Sequence, residues 1–142
     1  MPEISLNKAR SLVRAILKAG REKEMLPLSV VVLDTGGHVK AFEREDGASP
    51  GRFDIARGKA YGTIMMGIPG SKQMARAEQQ AYFINAMSVT FEGKFVPVPG
   101  GILLKDGRDR LIGAVGVTGD TSDNDAMAAM AGIEAVGLTG VA

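Results

Sequence analysis

The chain has 142 residues, enough for one domain with its own core, and its 17 Lys and Arg against 16 Asp and Glu leave a formal charge of +1. A near-neutral chain without a basic run argues against a nucleic-acid-binding surface. Cysteine is absent and histidine occurs once, which excludes disulfides, thiol catalysis, Cys-ligated metals and a multi-His site within one subunit.

Hydrophobic residues make up 45% and charged residues 23%, the balance of a folded globular chain rather than a disordered one. The opening MPEISLNKAR has no apolar signal core and no run approaches a membrane span. A cytoplasmic protein without a membrane partner is expected. The eight methionines read as gap-fillers of the core.

In chain order, residues 5–24 form an amphipathic helix. Ala9, Leu12, Val13, Ile16, Leu17 and Gly20 recur at i, i+3, i+4, with Ser5 as N-cap. Residues 28–33, LSVVVL, read as a strand buried on both faces. DTGGH then turns the chain into a second strand, residues 39–45. Ser49-Pro50 reads as N-cap and first helical residue of a helix running to about Met66. Ser71 caps a further helical piece, and QQAYFINAMSV adds another turn or two.

FVPVPGG, residues 95–101, is unsuited to a central strand because Pro97 and Pro99 lack ladder donors. Residues 102–105 and 111–118 form a second hairpin around DGRD. A last helix spans residues 123–137, with Ser122 and Asp125 as a variant capping box, and GLTGVA is a loose tail. The order α, β-hairpin, α, α, β-hairpin, α predicts a single α+β domain over residues 1–142. Its antiparallel sheet has four or five strands flanked by helices, the fifth a short one near residues 94–98.

Three segments bear on function. Asp34-Thr35-Gly36 is the tripeptide of aspartic proteases, but such folds are nearly all β and half of this chain has helical pattern. Asp34 is therefore read as a turn residue that hydrogen-bonds the backbone. Gly113-Ala-Val-Gly116-Val-Thr-Gly119 lacks the dinucleotide spacing, and glycines inside a strand signal close approach of another backbone. Pro97-Val-Pro-Gly100-Gly101 signals an approach to a ligand or to a packed subunit. His38 is the sole imidazole, an exposed turn residue or else an axial haem ligand or proton shuttle. Arg44, Asp46 and Lys59 form either a solvated ion-pair network or a carboxylate-binding group.

VVLDTGGHV, REDGASPG, DIARGKAYG and PVPGGILLKDGRDRLIGAVGVTGDTSDND together resemble the GlcG/HbpS-like family. This is the haem-degrading domain family, which includes the C-terminal domain of PduO-type proteins. The resemblance spans about residues 4–138. It places Asp34 and Gly37 on the first turn and Arg44, Asp46, Gly47 and Ala48 on the second. Ala56, Lys59 and Ala60 match the helix motif, Pro99, Gly100 and Gly101 the P-G-G loop, and Gly113, Gly116, Gly119 and Asp125 the final motif. It implies a profilin-like layered sandwich, homo-oligomers, and haem or tetrapyrrole binding in some members.

The leading expectation is thus a haem-binding or haem-degradation-related protein, with haem as cofactor and His38, or a Met, as axial ligand. The alternative is a hydratase, isomerase or lyase acting on a carboxylated metabolite. There Arg44 and Lys59 hold the carboxylate, Asp46 or His38 moves the proton, and Gly100 and Gly101 line the pocket. A non-catalytic structural oligomer is the third reading.

Overall fold

The structure is a computed structural model and describes residues 2–142. Five helices surround one antiparallel sheet. In chain order the elements are α1 (Leu6–Glu22), β1 (Ser29–Leu33), β2 (Val39–Arg44), α2 (Arg52–Met66), α3 (Gly70–Gln79), α4 (Ala81–Thr90), β3 (Gly101–Lys105), β4 (Leu111–Thr118), α5 (Ser122–Ala135) and β5 (Thr139–Val141). The strand order is β2-β1-β4-β3-β5, so the central strands β1 and β4 come from different hairpins.

The alternation of β-strand side chains sorts the core into two layers. Val30, Val32, Val115, Val117, Ile102 and Leu104 meet α1 and α5 on one face. Val31, Leu33, Ala114 and Leu103 meet α2 on the other. Both faces are covered, which is why LSVVVL, Ser29 apart, is continuously apolar rather than alternating. Ser5 caps α1 by accepting the Lys8 N–H at 3.1 Å, and the predicted apolar stripe is the buried one.

Small residues set the helix-to-sheet spacing. A Cβ on Gly116 would lie 2.0 Å from the Ala56 carbonyl oxygen, so α2 rests directly on β4 through Ala56 and Ala60. The outer side of α2 is equally thin. Side chains at Gly58 and Gly62 would collide with Val96 and Phe95, and the Val96 N–H donates to the Gly58 carbonyl. The segment before β3 therefore lies across α2 instead of joining the sheet, as its prolines require.

Four local expectations are corrected. The fifth strand is the C-terminal Thr139–Val141, paired on β3 with Leu103 opposite Val141. The tail is thus an edge strand, and residues 94–98 form none. The N-cap of α2 is Gly51, without a side-chain bond, because the Arg52 N–H is already turned back to the Ser49 carbonyl. Helix α3 starts at Gly70 rather than after Ser71. A side chain at Gly70 would meet the Val98 carbonyl at 2.0 Å. Helix α5 is capped by Thr121, which accepts the Asn124 N–H at 3.1 Å, in place of Ser122. Asp125 has a different partner, described below.

Candidate functional site

The structure divides the expected site residues among three places. His38 stands alone at the tip of the first hairpin. Lys59 joins Gly100 and Gly101 in the interior. Arg44 and Asp46 lie at the other end of β2, six residues from His38, which is about 20 Å along a strand.

At the hairpin tip, Asp34 Oδ1 accepts the N–H groups of Gly36 at 3.0 Å and His38 at 2.9 Å. It also sits 3.2 Å from His38 Nδ1. Partial burial pushes the Asp34 carboxyl upward, but the His38 and Gly36 N–H bonds and the nearby imidazole outweigh it. Its pKa lies below the ordinary aspartate value. An ionised carboxylate only accepts, so in the neutral ring the facing Nδ1 carries the proton and Nε2 the lone pair. The imidazole side chain is 81% exposed, which leaves Nε2 open to solvent. Asp34 thus orders backbone, as expected, and also orients the ring.

Behind this turn is a partly buried apolar wall. Gly37 has φ +83°, and a Cβ there would strike Met65 Cε and the Tyr61 ring. The turn must therefore sit flat on α2. Tyr61 meets the Phe91 ring edge-on with centroids 5.9 Å apart, and Lys94 Nζ stands 4.8 Å over the Tyr61 ring. Tyr61, Met65, Phe91 and Lys94 do not stand out in the sequence. They converge because the 91–99 segment folds back over α2.

Lys59 is 2% exposed, and its Nζ donates to the Val117 carbonyl at 2.9 Å and to Asp125 Oδ2 at 3.0 Å. Asp125 Oδ1 accepts the Asp120 N–H at 2.9 Å. Burial pushes the Lys59 ammonium down, against the pull of Asp125, and pushes the Asp125 carboxyl up, against the pull of Lys59. Side chains at Gly100 and Gly101 would fall 2.9 Å from Lys59 Nζ and 2.4 Å from the Lys59 carbonyl. The double glycine lets this loop close over the lysine. The expected pairing of Lys59 with Arg44 around one ligand is therefore absent: its ammonium is spent on linking α2 to α5. Gly100 and Gly101 line this packed interior rather than any described groove.

Arg44 and Asp46 border an open groove of about 380 Å³ with Glu43, Glu45 and Arg21. Arg21 Nε pairs with Glu45 at 3.0 Å, and Arg44 Nη1 donates to the Ala48 carbonyl at 2.6 Å. Its walls are charged with both signs, which suits a polar ligand better than a tetrapyrrole.

Of the three places, the hairpin tip is the one that carries the imidazole expected to ligate haem. It offers an exposed imidazole nitrogen whose other nitrogen faces a carboxylate, the arrangement that orients metal-binding histidines. A thioether, two aromatic rings and an ammonium lie beside it. Among the described residues no group of three or more His, Asp or Glu could hold a bare metal ion. Among the described residues no helix is long and apolar enough to cross a membrane.

These features define a small α+β protein, a sheet between two helical layers, with its one histidine on a hairpin tip. The haem degrading protein HbpS-like family matches residues 4–134, and the chain belongs to that family. No curated protein matches the sequence. Among solved structures, the PduOC:heme complex superposes with a TM-score of 0.86 at 21% identity, covering 99% of each chain. HbpS superposes with a TM-score of 0.80 at 25% identity, covering 96% of this chain and 92% of that one. The Klebsiella pneumoniae protein ORFY gives 0.84 at 23%, with the same coverages.

Proposed function

We propose that this protein binds haem at the tip of the first hairpin, with His38 Nε2 as the ligand to iron. The observation that carries this reading is the Asp34–His38 pair, which turns the only imidazole of the chain outward with its second nitrogen free. Membership of a haem-degrading family, and the likeness to a chain solved with heme, support the same cofactor. Bound haem would supply an iron centre and two carboxylate side arms. Tyr61, Met65 and Phe91 offer it an apolar contact, and Lys94 an ammonium for a carboxylate. Asp34 would hold the ring and strengthen the imidazole as a donor.

The test is titration with hemin, followed at the Soret band. Wild-type protein gives a saturable, red-shifted Soret band. His38→Ala loses it, and Asp34→Asn weakens affinity by about tenfold, the usual cost of removing the partner of a metal-binding histidine. An unchanged spectrum in His38→Ala would remove the site.

Self-association fits the same reading. Helix α4, AYFINAMSVT, has no charged residue and buries only Ile84, while Tyr82 and Val89 are 72% and 81% exposed. Its C-terminal neighbour Phe91 touches the wall beside His38. A second copy packed on α4 would cover apolar surface next to the haem. Val89→Glu is expected to reduce the mass seen by light scattering.

A further inference from the structure

We propose, resting on the haem reading only for what the free ring nitrogen binds, that Glu3 is a positioning residue for His38. From the segment before α1 it fixes the turn that holds Asp34 against the imidazole, and so sets which ring nitrogen stays free.

The N–H groups of the turn can be followed one by one. The Asp34 N–H donates to the His38 carbonyl at 2.9 Å, and the Gly37 N–H to the Asp34 carbonyl at 3.0 Å. The Gly36 and His38 N–H groups both donate to Asp34 Oδ1. The Thr35 N–H leaves the turn: it donates to Glu3 Oε2 at 2.9 Å, and the Thr35 hydroxyl donates to Glu3 Oε1. One carboxylate, 32 residues away in the chain, thus takes both donors of Thr35.

Glu3 is itself held in place. Its neighbour Ile4 is 2% exposed in the core beneath α1, and the Ile4 N–H donates to the Ile112 carbonyl at 3.0 Å. Ser5 then caps α1. A Cβ on Gly113 would lie 2.3 Å from the Leu33 carbonyl oxygen and 3.3 Å from Ile4 Cγ2. That glycine lets β4, the base of the first hairpin and the N-terminal segment meet. The turn is therefore gripped from both sides of the sheet, by Tyr61 and Met65 under Gly37 and by Glu3 at Thr35.

The grip matters because Asp34 Oδ1 serves three donors at once: the Gly36 N–H, the His38 N–H and His38 Nδ1. One oxygen meets all three only while the turn keeps its shape. Gly36 and Gly37 are the residues with most backbone freedom to lose. Without Glu3, the donors of Thr35 pass to water, and the turn keeps only its internal bonds and the contact under Gly37. A neutral imidazole in water prefers its proton on Nε2, and a carboxylate facing Nδ1 reverses that preference. The tautomer of His38 therefore reports the grip directly, and as the chain has one histidine its signals are unambiguous.

The experiment is ¹⁵N NMR of the imidazole at about pH 8.5, where an ordinary histidine is neutral. Wild type, Glu3→Ala, Glu3→Gln and Thr35→Val are compared, and each is titrated with hemin. Wild type shows the proton on Nδ1. In Glu3→Ala both ring ¹⁵N shifts move toward the Nε2–H pattern, and hemin binds about threefold more weakly, the order of one net hydrogen bond. Glu3→Gln keeps a carbonyl acceptor for the Thr35 N–H, and Thr35→Val keeps that N–H without the hydroxyl, so both fall between. A Glu3→Ala ring with the wild-type tautomer would overturn the role of Glu3, whether or not Tm falls, because a purely structural loss leaves the folded ring unchanged. Haem and Glu3 fail separately. The expected tautomer shift without a His38-dependent Soret band would remove haem and keep Glu3 as the positioning residue. A His38-dependent band with an unmoved tautomer would keep haem and remove Glu3.

Discussion

Asp34–His38 and Lys59–Asp125 are both pairs of a carboxylate with a nitrogen base, at 3.2 and 3.0 Å. They differ in surroundings. The first has side-chain exposures of 81% for His38 and 23% for Asp34, the second 3% and 1%. In the exposed pair, backbone N–H bonds hold Asp34 ionised and leave a ring nitrogen for a ligand. In the buried pair, desolvation works against both charges, and every ammonium proton with a partner is used internally. The distance between charges is nearly equal, so burial decides which pair is available to chemistry and which holds layers together.

That contrast can be broken most forcefully at the buried pair. Lys59→Met or Asp125→Leu alone leaves one uncompensated charge inside and is expected to cost about 3–5 kcal/mol in urea unfolding. The double replacement should cost far less than the two single losses added. Full additivity would mean that the two groups do not depend on each other. Gly116→Ala comes next. Its Cβ would lie 2.0 Å from the Ala56 carbonyl, and overpacking of that kind costs about 1–3 kcal/mol, read as a lowered Tm.

The exposed pair should respond weakly in stability. Asp34→Asn keeps a carbonyl acceptor for the turn and should cost about 1 kcal/mol or less. Its pH signature is sharper. Asp34 has a folded pKa below its unfolded 3.8, so its contribution is fully present above pH 3.8 and is lost as pH falls through the folded value. Asp34→Asn should therefore flatten the acid limb of the stability curve below pH 3.8. Asp125 is shifted the other way: its contribution is present below pH 3.8 and is lost as pH rises through its raised folded value. An acid limb unchanged in Asp34→Asn would remove the ionised turn. The smallest effect belongs to His38→Ala, a surface change of about 0.5 kcal/mol or less in stability.

Much of the frame was legible in sequence. The apolar periodicity of α1, the two hairpins and the turn role of Asp34 follow from spacing, because helices and strands bury residues with fixed periods. The in-strand glycines were also readable as close contacts, and Gly116 against Ala56 is one. Helix starts were less legible. Ser49, Ser71 and Ser122 are all chemically able to cap, but Gly51, Pro69 and Thr121 occupy the caps. Which hydroxyl caps a helix depends on how the incoming loop is tied down, and that is a long-range matter.

Site residues divide along the same line. The identity of His38 as the only imidazole, and the absence of any thiol, are properties of composition and restrict the chemistry before any folding. That Lys59 would be hidden was not readable, since its partner is 66 residues away in the chain. Nor was the bond from Thr35 to Glu3, which lies 32 residues away. The sequence by itself determined the helices and the two hairpins, though not the C-terminal edge strand, together with the two-sided burial of the sheet and the inventory of reactive groups, because these depend on local periodicity and residue type. Only the tertiary structure decided which charged groups face each other, because pairing across strands and layers is set by register and by how closely glycine and alanine let backbones approach.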